Sequence, residues 1–130
     1  MVSSYGPANM KPLAIDLPSS LAEISQAQDL DDDVQALKLK APLGAQQSHR
    51  IGWEIQQDVL YRAVPTKAEG KKYQLVVPRS LVNQFLHYYH DNPLGAHLGR
   101  LKTLLRVLEV AWWPSVRSDV WQHVKLLLTM

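Results

Sequence analysis

Residues 87–99 read HYYHDNPLGAHLG, and the two histidines His90 and His97 lie seven positions apart across a turn. Asn92 and Pro93 form a dipeptide that typically initiates a turn. Histidines placed in this way are typical of a metal site, and structural zinc takes four ligands, drawn chiefly from Cys and His. The chain contains no cysteine. This stretch therefore supplies only half of such a site.

The segments around this turn show regular apolar spacing. Apolar residues at intervals of three and four predict three helices, at about 79–90, 98–109 and 114–128. Upstream, β-branched and aromatic residues predict a β-hairpin in which residues 58–64 pair with residues 72–77. A proline closes each predicted strand, because proline cannot donate a hydrogen bond to the ladder.

The first 50 residues differ in composition from the rest. Residues 1–20 contain three prolines and several small polar residues, so we predict a disordered lead-in there. Residues 21–50 are predicted to be a helical linker segment, opened by a capping box between Ser20 and Glu23 and interrupted by an acidic run. Residues 51–130 are predicted to form the hairpin and the following helices.

The composition argues against several protein classes. Without cysteine the chain has no disulfide framework and no Cys-ligated metal. The sequence has no run of 18 apolar residues, so it predicts no transmembrane helix. It has no basic segment followed by an apolar block, so it predicts no secretory signal. We therefore expect a soluble intracellular protein with neither a membrane nor a small-molecule substrate as its partner.

The charge is distributed unevenly along the chain. Residues 1–70 carry 6 Lys and Arg against 9 Asp and Glu, whereas residues 71–130 carry 8 against 3. This pattern favours a polyanionic partner for the second half, although a solvated basic surface explains the charge equally well. The residues predicted to contact phosphates are Arg100, Lys102, Arg106, Arg117 and Lys125. Trp112 and Trp113 are candidates either for base stacking or for the core.

The order and spacing of several short motifs point to a family. These motifs are QLVVP, HDNPLGAHLG, KT at 102–103, WWP at 112–114 and DV at 119–120. Together they resemble the N-terminal histidine–cysteine zinc-binding module of gypsy-type retrotransposon integrases. More weakly, AEISQAQDLDDDVQALK and DVLYRAV resemble the segment that precedes the integrase in such polyproteins. The resemblance implies a mainly α fold, in which a β-hairpin precedes a three-helix bundle, with a helical and disordered N-terminal extension.

The resemblance also implies a zinc site, and it implies that two of the four ligands of this site are missing here. In the family a C-x-x-C pair follows the third helix, and its two positions correspond here to Leu127 and Met130. His90 and His97 remain as ligands, so zinc is an expected cofactor whose site is incomplete. His87 and His123, each one helical turn before a ligand position, are the alternative ligands. A metal-free or weakly metallated site is the expected state.

The sequence contains no motif for catalysis. It has no Gly-rich phosphate loop and no nucleophile elbow, and the family's catalytic domain would follow residue 130. We therefore expect a non-catalytic module that binds nucleic acid weakly and without sequence preference and takes part in integrase-type multimerisation, in the nucleus if the resemblance holds. The expected partners are DNA, further copies of the chain and integrase-like proteins. The alternative is a protein–protein interaction module, or a transposon-derived fragment with no role on DNA.

Overall fold

The computed structural model describes residues 9–10, 17–41, 51–67, 70–90 and 99–128, and describes side chains for the parts of these ranges within 17–124. Six α-helical or 3-10 segments and five strands follow one another in these ranges. In chain order they are β1 (Asn9–Met10), α1 (Leu21–Asp29), α2 (Asp32–Lys38), β2 (Gly52–Gln56), β3 (Val59–Pro65), β4 (Lys71–Val76), a 3-10 turn (Arg79–Leu81), α3 (Val82–His90), α4 (Arg100–Val110), β5 (Ala111–Trp112) and α5 (Val116–Leu128).

The first two helices begin and end as their sequences predict. The Ser20 hydroxyl accepts a hydrogen bond from the Glu23 backbone N–H, while the Glu23 carboxylate accepts one from the Ser20 N–H. This reciprocal pair is the predicted capping box, which satisfies two amide groups at the start of α1. The Asp31 side chain caps α2 by accepting from the N–H groups of Asp33 and Val34. The acidic run therefore separates two helices, as predicted.

The five strands form one mixed sheet. β2, β3 and β4 are antiparallel neighbours, and both β1 and β5 pair in parallel with β4. The predicted hairpin is confirmed, because β3 pairs with β4 and Tyr61 lies opposite Leu75. The predicted boundaries of the three C-terminal helices are also confirmed to within a few residues.

A two-residue turn joins β2 to β3. Gln57 and Asp58 both have positive φ, at 52° and 66°, as a tight hairpin turn requires. Glycine or asparagine usually occupies such positions because other side chains are strained there. The sequence QQDVL at residues 56–60 therefore does not predict a turn, and β2 was not predicted as a separate strand.

The sheet is buried on both faces. Alternate residues of β3 and β4 point to opposite sides. One side packs against α3, α4 and α5 in the main core, and its sheet residues include Val59, Tyr61, Ala63, Tyr73, Leu75 and Val77. The other side packs against α2 and the segment after it, in a smaller core of Val34, Ala41, Leu60 and Val76.

The predicted fold class, a mainly α protein with a hairpin before a three-helix bundle, is wrong. Helices cover both faces of a central mixed sheet, so the described residues form an α+β layered structure. The three predicted helices are present, but they pack on the sheet as one layer. The physical reason is that the second face of β3 and β4 also carries apolar side chains, Leu60 and Val76, which a hairpin beside a helix bundle would leave in water.

Two sequence predictions concern parts of the chain that the structure describes incompletely. The predicted disordered lead-in at residues 1–20 and the linker at 21–50 include residues 1–8, 11–16 and 42–50, which lie outside the described residues. No helix in the described part of the chain is long and apolar enough to cross a bilayer.

Candidate metal centre and nucleic-acid interface

His90 is the last residue of α3 and is held in one orientation. Its ring is buried, with 4% of the residue exposed, and its Nδ1 lies 3.1 Å from the Thr103 hydroxyl on α4. That hydroxyl donates its only hydrogen to the carbonyl of Gly99, at 2.9 Å. The Thr103 oxygen can therefore accept a hydrogen bond from His90 Nδ1, and in that tautomer Nε2 carries the lone pair that a metal would bind.

Two further histidines surround His90. The His123 ring on α5 lies 5.7 Å from the His90 ring and 5.0 Å from the His87 ring, measured between centroids. Both contacts are nearly perpendicular, at 82° and 86°. Of the two alternative ligands named from the sequence, His123 is therefore close both to His90 and to His87.

This cluster does not amount to a zinc site. No group of three or more His, Cys, Asp or Glu side chains in the described part of the chain is arranged to hold a metal ion. The chain also lacks the thiolates that complete most structural zinc sites. His97 and Met130 lie outside the described residues, and Leu127 lies in α5 with its side chain undescribed. The described donors therefore do not fit a complete tetrahedral site.

The layer formed by α4 and α5 presents a positive surface. Its acidic residues are Glu109 and Asp119, and each is already paired with a cation from another element. Glu109 forms an ion pair with Lys72 of β4, and Asp119 forms one with Arg79 at 3.2 Å. Both acidic side chains of this layer are therefore already neutralised by cations from other elements. Neither is available to the cations of α4 and α5.

These cations divide into two groups. Arg100 and Arg117 flank the indole of Trp121: the Arg100 guanidinium lies 5.6 Å from the ring centroid, and Arg117 lies one turn before Trp121 on α5. Lys102 and Arg106 lie one turn apart on α4, where Lys102 is exposed and Arg106 is partly buried. The side chain of Lys125 is outside the description. All five residues predicted to contact phosphate therefore belong to α4 or α5, and four of them have described side chains.

A groove runs between α4 and α5 beside Trp121. It has a volume of about 520 Å³ and is lined by Leu101, Leu104, Arg117, Ser118, Trp121 and Gln122. This volume lies within the ~300–1,000 Å³ that is usual for ligand sites. Among the described residues, no acidic side chain lines it. Trp121 is 39% exposed, although large aromatic residues are usually well buried.

A second aromatic cluster packs against the smaller core of the sheet. The Arg62 guanidinium covers the ring of Trp112 at 4.8 Å, and the Trp53 ring lies 5.4 Å from Trp112. Burial lowers the pKa of Arg62, and the nearby positive charge of Arg117 lowers it further. Two guanidinium groups that repel each other in this way would be stabilised by an anion placed between them.

Asp119 organises the start of α5. Its Oδ2 accepts hydrogen bonds from the Trp113 indole at 2.7 Å, from the Ser115 hydroxyl at 2.7 Å and from Arg79 at 3.2 Å. Burial opposes ionisation, but the bonds from Ser115, Trp113 and Arg79 outweigh it, so the pKa of Asp119 is lowered. Trp113 is 1% exposed. It is therefore the core member of the Trp112–Trp113 pair, and the motifs WWP and DV are joined by this contact.

Sequence reasoning missed Arg62 and Trp121. The signal for Trp121 was present, because this residue falls outside the apolar stripe of Val116, Val120 and Val124 and so had to face away from the core. Nothing in the sequence near Arg62 indicated its proximity to Arg117, which depends on the pairing of the sheet.

Comparison with known proteins agrees with the motifs. Residues 77–126 match the family model of the integrase zinc binding domain. The matched range begins after β4 and includes α3, α4, β5 and most of α5. No solved structure matches the chain. The helical layer that carries His90 and the positive surface is therefore similar to the integrase zinc-binding domain, an accessory rather than a catalytic domain.

Proposed function

We propose that residues 51–130 form a non-catalytic, transposon-derived integrase module of the gypsy type, which binds nucleic acid through its phosphates. The observation that carries the proposal is the positive surface of α4 and α5, whose two acidic residues are both paired with cations elsewhere. Phosphate contacts by Lys and Arg supply most of the affinity of sequence-independent binding. The similarity of residues 77–126 to an integrase domain supports the same function.

In this proposal the metal site is a remnant. His90 keeps the orientation of a ligand through Thr103, and His97 is its proposed partner. The match to the family ends at residue 126, immediately before Leu127, which we align with the first family cysteine. Zinc, when bound, would fasten the end of α3 to α5. With two imidazoles and no thiolate, we expect weak binding of this metal.

The proposal is tested by locating the binding surface. A fluorescently labelled duplex is titrated with the full chain at low salt, and Arg117→Gln is compared with Lys40→Gln. Both variants remove one positive charge, but Lys40 follows α2, which packs on the opposite face of the sheet. We expect micromolar binding by the wild type, weakening for Arg117→Gln and almost no change for Lys40→Gln.

Two results would contradict the proposal. An absence of binding at low salt would remove the nucleic-acid function and favour the alternative, a protein interaction module or a fragment without a role on DNA. An equal effect of the two substitutions would show that binding depends on net charge and not on the α4–α5 surface.

A further inference from the structure

The groove between α4 and α5 has features that contact with duplex phosphates does not require. A surface for phosphates alone needs cations, but this groove has an exposed indole, an apolar floor and polar groups at its rim. The buried Leu104 and the exposed Leu101 supply the apolar lining, and Ser118 and Gln122 supply a hydroxyl and an amide. The indole of Trp121 is half-exposed.

We propose that this groove binds an unpaired nucleobase of single-stranded nucleic acid, with the base stacked on Trp121 and its phosphate held by Arg117. The inference rests on the proposed function and specifies the form of nucleic acid bound. Every base offers a flat apolar face, and stacking on an aromatic side chain contributes ~1–3 kcal/mol without sequence preference. In a duplex those faces are covered by neighbouring bases, so the groove discriminates between the two forms.

Charge complementarity favours a nucleic acid over an apolar protein segment as the occupant. Arg117 is exposed at the groove, and Arg100 lies over the Trp121 ring. The Arg100 Nε is buried and has no hydrogen-bond partner among the described residues. No described acidic side chain lines the groove to balance these charges. An apolar helix would fill the floor but leave two guanidinium groups facing uncharged surface, whereas a nucleotide supplies both a ring and an anion.

The test is a cycle that separates stacking from charge. Full-length wild type and Trp121→Ala are titrated with a 12-nucleotide oligo(dT), with an oligomer of abasic sites of the same length, and with a duplex. The matched control is Leu105→Ala, which removes an exposed apolar side chain of α4 outside the groove. A parallel titration with oligo(U) distinguishes RNA from DNA as the single strand bound more tightly.

We expect Trp121→Ala to weaken binding of oligo(dT) by roughly 5- to 150-fold, the factor that corresponds to the stacking of one base. Affinity for the abasic oligomer and for the duplex should change less than twofold, because neither can stack on the indole. Leu105→Ala should leave all three affinities unchanged. Circular dichroism spectra of the variants should match that of the wild type.

The outcomes separate the two proposals. If the duplex and oligo(dT) lose affinity equally in Trp121→Ala, or if neither does, the base-binding groove is wrong while phosphate binding stands. If Trp121→Ala abolishes self-association in sedimentation velocity and leaves oligo(dT) binding unchanged, the groove is a protein contact and the inference is overturned. If the wild type binds none of the three probes at low salt, the proposed function itself fails.

Discussion

Gln28 offers the sharpest test of how the two halves of the chain are joined. Its side chain is completely buried at the end of α1, and its amide bridges two strands. Nε2 donates to the carbonyls of Leu60 at 3.2 Å and Val76 at 2.7 Å, while Oε1 accepts from the Leu60 N–H at 2.8 Å. Gln28→Met keeps the length of the side chain but removes all three bonds.

The magnitude follows from the groups left without partners. An unpaired buried N–H costs ~1–3 kcal/mol, and we assign about 1 kcal/mol to each of the two carbonyls because carbonyls tolerate loss of a bond better. Burial of the apolar methionine side chain offsets ~1 kcal/mol. We therefore expect the free energy of unfolding to fall by about 3 kcal/mol, a large part of the ~5–15 kcal/mol typical of a domain.

Urea denaturation followed by circular dichroism measures this change. The control is Gln26→Met on the exposed side of the same helix, where we expect a change within about 0.5 kcal/mol. The midpoint of Gln28→Met should fall while the dependence on urea stays the same. If Gln28→Met and Gln26→Met unfold at the same urea concentration, the amide does not join α1 to the sheet, and the reasoning is refuted.

Three further predictions concern Asp119, the lost cysteines and the β2–β3 turn. The pKa of Asp119 is lowered on folding, so its ionised carboxylate stabilises the fold above its ordinary pKa of 3.8, and this stabilisation is lost as the pH falls through the folded pKa. Asp119→Asn should therefore have a lower free energy of unfolding than the wild type at pH 7, and urea denaturation should show the difference shrinking below about pH 4. A difference that stays constant with pH would contradict this. Leu127→Cys with Met130→Cys should create a two-His, two-Cys set that binds about one zinc per chain and melts higher with zinc than with chelator; a wild type that already shows this difference would mean that other ligands complete its site. Replacing Gln57 and Asp58 with Asn-Gly should raise the free energy of unfolding by about 1 kcal/mol, because both positions have positive φ, and a loss of stability would show that the turn has another conformation.

The elements with strong local signals were predictable from the sequence. The capping box at Ser20 and Glu23 and the apolar spacing of α3, α4 and α5 are local properties, and the structure confirms them. The same holds for the β3–β4 hairpin, whose strands are rich in β-branched and aromatic residues. Fold class was mistaken because these local signals do not specify how the layers pack.

The missed elements depend on contacts between distant residues. β5 has two residues, and it is a strand because Ala111 and Trp112 pair with Leu75 and Val76 of β4. Gln28 lies in a polar helix, where the sequence predicts a solvated side chain. Its hydrogen-bond partners Leu60 and Val76 nevertheless lie 32 and 48 positions away. Pairings at such separations leave no periodic pattern in the sequence.

The candidate site was predictable to a similar extent. His90 was proposed from its spacing, and all five cations proposed to contact phosphate belong to α4 or α5. The orientation of the His90 ring depends on Thr103, 13 positions away, and that contact was not foreseen. Trp121 was detectable because it lies off the apolar stripe, whereas the approach of Arg117 to Arg62 required the assembled sheet.

The most direct test of the central claim is the salt dependence of duplex binding by the wild type and by Lys102→Gln/Arg117→Gln. If α4 and α5 bind phosphates, the logarithm of the wild-type association constant should fall linearly with the logarithm of salt concentration. Each phosphate contact contributes a slope of roughly −0.9 for a duplex. The double variant should bind more weakly, with a slope about two units shallower. Wild-type affinity that does not change with salt, or a double variant with the wild-type slope, would contradict the account.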